Sequence, residues 1–66
     1  MKIFVNGKEL NYNSSLTLEV LIIELGHVDK RVAIEVNEEI VPRSHLKNKL
    51  VVDGDKIEII TAVGGG

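Results

Sequence analysis

The chain has 66 residues, 44% of them hydrophobic, with a formal net charge of −2 and no cysteine. That length holds a single domain, and the missing cysteines exclude disulfide staples, a thiolate nucleophile and cysteine-ligated metal. The weak negative charge and the two aromatics, Phe4 and Tyr12, argue against binding nucleic acid through phosphate neutralisation or base stacking.

The opening "MKIFVNGKELNY" has the two-residue period of a strand, with Ile3 and Val5 on one side and Lys2 and Phe4 on the other. Asn6-Gly7 supplies the positive φ angles of a tight type I′ turn, and Leu10 and Tyr12 carry the alternation back along a second strand. The stretch turns polar too soon for a signal peptide. The longest apolar run, Val20 to Ile23, is too short to cross a bilayer. A soluble, cytoplasmic protein is the expectation.

The period then changes. Leu18, Leu21, Ile22 and Leu25 fall at i, i+3, i+4 and i+7, the apolar stripe of a helix. Thr17 suits its N-cap, Glu19 favours the positive end of its dipole, and Gly26 suits the left-handed residue past its end. Val20 and Ile23 are expected to widen the apolar face.

"RVAIEVN" reads as a third strand with Val32, Ile34 and Val36 on one face, and "NEEIVP" as a turn and short fourth strand held near a sheet edge by Pro42. "RSHLKNKL" is expected to be an irregular or short helical connection, with Leu46 and Leu50 plugging the core. "VVDGDKIEII" places a turn at Asp53-Gly54 and a last strand with Ile57 and Ile59 inward. A helix crossing from the hairpin to a later strand lets the first and last strands lie parallel at the centre of the sheet. The expected fold is therefore α+β: a β-grasp, a mixed sheet of four to five strands on one main helix, of the ubiquitin-like kind that the resemblance given below implies. The domain is expected to cover residues 1–62, and residues 63–66 a flexible tail.

Several residues attract functional readings and lose them to plainer ones. His27 and His45 lack a paired ligand spacing for metal. Asp53 and Asp55 lack the remaining ligands of a calcium loop. Glu35, Glu38 and Glu39 read as a solvated edge, and Arg43 either as a surface residue or as one that helps to position a partner. No catalytic residue is expected, and no metal.

The segments "VAIEVNEEIVPRSHL" and "DGDKIEIITAVGGG" resemble the thiamine-biosynthesis sulfur carrier family, ThiS, and "MKIFVNG" resembles the opening of ubiquitin. The resemblance runs through an asparagine turn, a "VPR" element, a "DGD" turn and the terminal glycines. It implies a protein co-substrate, not an enzyme. A ThiF-like adenylating enzyme would use ATP and magnesium to activate the carboxylate of Gly66. A persulfide on a partner protein would convert it to a thiocarboxylate, and a thiazole synthase (ThiG-like) would take the sulfur. The carrier itself would hold no cofactor.

The tail's chemistry suits those steps. Gly64, Gly65 and Gly66 lack the Cβ that would obstruct threading into an active site. A terminal carboxyl, with a pKa of roughly 3.3–3.7, is anionic at neutral pH without help. Ordering such a tail costs entropy, so the folded body must supply anchoring contacts. Alternation nominates an apolar patch of Phe4, Ile60 and Ala62, with Val63 leading into the tail. Three other readings stay open: a carrier like the small subunit of molybdopterin synthase, a ubiquitin-like protein modifier, and a plain β-grasp binding module.

Overall fold

In the computed structural model, which describes residues 1–27 and 31–61, the elements follow the alternation of the sequence. The Asn6-Gly7 turn, with φ of 50° and 82°, joins β1 (Lys2–Val5) to β2 (Lys8–Asn11) as an antiparallel pair. Helix α1 (Leu18–Glu24) follows, then β3 (Val32–Val36), β4 (Glu39–Val41), a 3-10 turn at Arg43–His45 and β5 (Lys56–Thr61). The five strands form one sheet in the order β2-β1-β5-β3-β4. β1 and β5 are its parallel pair; the other neighbours are antiparallel. The last described strand thus lies in the middle of the sheet. Pro42 falls where the sequence places it, because β4 is an edge strand and Pro42 follows it.

Each end of α1 is closed by groups that the sequence supplies locally or from one neighbouring segment. Thr17 Oγ1 accepts from the Val20 amide at 3.3 Å. The Leu18 amide donates to the Lys49 carbonyl at 2.8 Å and the Glu19 amide to that of Leu46 at 3.1 Å. Donors that a helix N-terminus leaves open are thereby used to hold the 46–49 segment. At the other end Gly26, at φ 87°, donates to Ile23 while His27 donates to Ile22, both at 3.0 Å. That pair of bonds is a Schellman motif.

The core consists of Ile3 and Val5 from β1, Leu18, Leu21 and Ile22 from α1, Ile34 and Val36 from β3, Val51, and Ile57 and Ile59 from β5. Leu10, Tyr12, Leu25, Val32, Val41 and Leu46 pack around it. Two expectations need correcting. Val20 and Ile23 do not widen the buried face: they are about half exposed, at 46% and 50%. At about 100° per residue they lie on the far side of the helix from Leu18, Leu21 and Ile22. Leu50 does not plug the core either. It is 58% exposed and Val51 is the buried residue, at 3%. The backbone decides this: Leu50 bridges Thr17 and the Val51 amide donates to the Leu16 carbonyl at 3.0 Å, which turns residue 51 inward.

Candidate functional site

The helix covers one face of the sheet and leaves the other open. Alternation from the buried residues puts Lys2 and Phe4 of β1 on the open side, with Glu9 opposite Phe4 on β2. β5 contributes Lys56, Glu58 and Ile60, β3 contributes Ala33 and Glu35, and β4 contributes Ile40. Register then decides which of these meet. Phe4 pairs with Lys56, and Phe4, Gly7, Lys56 and Glu58 line one shallow depression.

Ile60, 50% exposed, shares the face with Phe4 but is paired with Ala33 on the opposite flank of β5. It sits four residues beyond Lys56, about 13 Å along the strand. Lys56 and Glu58 therefore lie between the two apolar residues nominated from sequence. Ala62, Val63, Gly64, Gly65 and Gly66 lie outside the described residues. The boundary expected at residue 62 lies there too.

Ile40, 73% exposed, is an apolar member of this face that sequence reasoning passed over. Register reveals it: Val41 pairs with inward Ile34, so its neighbour Ile40, paired with Glu35, points outward. Glu35 is also directly opposite Glu58, a like-charge cross-strand pair that weakens the ladder.

Two aspartates close to this face are committed to the backbone. Asp53 Oδ1 accepts from the Lys2 amide at 2.7 Å. Asp55, 5% exposed, accepts from the Val52 amide at 2.9 Å and from Asn37 Nδ2 at 3.0 Å. Among the described residues no group of three or more His, Cys, Asp or Glu side chains could hold a metal ion. His27 lines a cleft with Glu19, Ile22, Ile23, Val32, Arg43 and Leu46, and His45 lines a separate one beside β4. Among the described residues no helix is long and apolar enough to cross a membrane.

Among the described residues, one helix on a five-stranded mixed sheet, with β1 and β5 parallel at its centre, defines a ubiquitin-like β-grasp protein. The ThiS family profile matches residues 2–66, and the chain belongs to that family. A crystal structure of the thiamine biosynthesis protein ThiS from Geobacter metallireducens superposes with a TM-score of 0.84, at 32% identity over the whole of both chains. The sulfur carrier protein ThiS of Escherichia coli is 29% identical, again over the full length of both. A thiazole synthase from Paramagnetospirillum magneticum is 48% identical to the whole of this chain, which spans only 20% of that protein.

Proposed function

We propose that this chain carries sulfur for the thiazole moiety of thiamine as a terminal thiocarboxylate on Gly66. The observation that carries the reading is the family match, which extends through the terminal glycines at residues 64–66. The fold is consistent with it: β5, which leads towards those glycines, is held between β1 and β3 in the middle of the sheet. A strand bonded on both sides is a firm base for a segment that another protein must thread.

In this reading a ThiF-like enzyme binds ATP and magnesium. A carboxylate oxygen of Gly66 bonds to the α-phosphorus, the bond to the β-phosphate breaks and pyrophosphate leaves. The acyl-adenylate has AMP as a good leaving group, so the outer sulfur of a partner's persulfide displaces it and forms an acyl disulfide; a second thiolate then attacks the partner's sulfur, which releases the thiocarboxylate and leaves the partner in a disulfide. Thiazole synthase is the proposed acceptor of that sulfur. Support comes from relatives named thiazole synthase, in Paramagnetospirillum magneticum and Magnetococcus marinus, that contain a stretch similar to this entire chain. Phe4, Ile60, Ala62 and Val63 are the proposed contacts of the folded body and tail with the activating enzyme, buried on docking while Gly64 and Gly65 thread inward.

Intact-mass measurement after incubation with the activating enzyme, ATP, magnesium, a persulfide source and a reducing thiol tests this. Replacement of one oxygen by sulfur, absent when Gly66 is deleted, is the expected result. Adenylation followed by attachment to lysines of other proteins would instead identify a protein modifier. No change in mass would overturn the reading.

A further inference from the structure

Beyond Gly66 and the docking patch, the geometry points to Asn6 as a positioning residue for the tail's chemistry; this inference rests on the carrier reading above. β1 is too short to accompany β5 to its end. Its ladder with β5 covers Phe4↔Lys56 and Val5↔Ile57, and the Asn6 amide donates to the Ile57 carbonyl at 2.9 Å. There the chain turns away through Asn6 and Gly7.

The Asn6 side chain continues the seam in place of backbone. Its Oδ1 accepts from the Ile59 amide at 2.8 Å and its Nδ2 donates to the Ile59 carbonyl at 3.3 Å. A carboxamide has the donor and acceptor of a peptide group, so it can stand in for the strand residue that the turn removes. Ile59 is two residues from the end of β5. Past it, Ile60 and Thr61 are paired with Ala33 and Val32 of β3. The Asn6 carboxamide is thus the last tether from the β1 side, among the described residues, before the segment that bears Gly66.

Without it, the β1 side of β5 would be fastened no further than Ile57, and the end of the strand would hang from β3 alone. Both contacts span 53 positions of sequence, so they couple the first turn of the chain to the aim of its last strand. Aim matters because a misplacement of about 1 Å far from the reacting atoms can cost on the order of 100-fold in rate.

Asn6→Gly and Asn6→Asp separate the tether from the turn. Glycine retains the left-handed φ and deletes the carboxamide; aspartate retains the acceptor and deletes the donor. Each full-length variant is compared with the unsubstituted chain in adenylation by the ThiF-like enzyme with ATP and magnesium, alongside amide exchange at Ile59. In Asn6→Gly, faster Ile59 exchange, enzyme affinity within about twofold and kcat lowered about 10- to 100-fold are expected. Asn6→Asp should fall between. A kcat within about twofold of the unsubstituted chain overturns the inference, even if stability drops. Should Asn6→Gly fail to fold, the kcat of Asn6→Asp decides on the same criterion. If the unsubstituted chain is not adenylated, the carrier reading fails and takes this inference with it. If that chain reacts and both variants react equally, the role of Asn6 alone is refuted.

Discussion

Asn37 and Asp55 are joined by a 3.0 Å hydrogen bond from Nδ2 to Oδ1, and around it the start of β5 is fastened. Asn37 Oδ1 accepts from the Lys56 amide at 3.0 Å, and the Asn37 amide donates to the Lys56 carbonyl at 2.7 Å. The other carboxylate oxygen of Asp55 holds the Val52 amide. Asp55→Ala leaves Asn37 Nδ2 and the Val52 amide without their acceptor and should cost about 2–3 kcal/mol in urea unfolding. A loss below about 0.5 kcal/mol would mean that water replaces the carboxylate without penalty.

The burial of Val51 in place of Leu50 gives a paired test. Val51→Ala empties core volume and should cost about 1–3 kcal/mol, while Leu50→Ala should stay within about 0.5 kcal/mol. Equal losses in thermal or urea melts would contradict the inward turn at residue 51.

Gly54 is at φ +88° with nothing within 4 Å of the position its Cβ would take. Space is therefore not the obstacle to a side chain there; backbone conformation is. Gly54→Ala should destabilise by about 1–2 kcal/mol, and Gly54→Asn by less, since asparagine tolerates the left-handed region. Identical stabilities for all three would show that the turn relaxes freely.

Tyr12 bears on alkaline stability. Desolvation, with a smaller contribution from the negative charge of Glu24, raises its phenol above the ordinary value near 10. With the folded pKa raised, the unfolded chain loses its proton first. The contribution is complete below pH 10 and is lost as pH climbs through the folded value. The melting temperature should therefore fall more steeply above pH 10 in the parent chain than in Tyr12→Phe. Parallel curves would refute the linkage.

Phe4 lies on the open face and is absent from the buried core. Under the proposed function, Phe4→Ala should weaken binding to the activating enzyme by about 2 kcal/mol, roughly thirtyfold. The melting temperature should move little. A large stability loss with unchanged affinity would reassign Phe4 to packing.

The local parts of this structure were legible because their causes are local. Asn6-Gly7 makes a hairpin whichever strands later join it, and Leu18, Leu21 and Ile22 share a helix face through spacing alone. The same spacing, followed strictly, also places Val20 and Ile23 outside. The "KNKLVV" stretch was harder: an irregular segment has no period, so the choice between Leu50 and Val51 falls to the backbone bonds with Leu16 and Thr17.

The candidate site divides in the same way. Periodicity along each strand is enough to turn Phe4 and Ile60 away from the core, since each alternates with buried neighbours. The sequence also carried the glycines at 64–66 and the family pattern. That Lys56 is Phe4's partner, that Glu35 faces Glu58 and that Asn6 grips Ile59 emerges from the folded sheet alone. Alternation is set by backbone geometry within one strand. Register is set between strands far apart in the chain, where the best joint fit of core, turns and side-chain tethers selects one alignment.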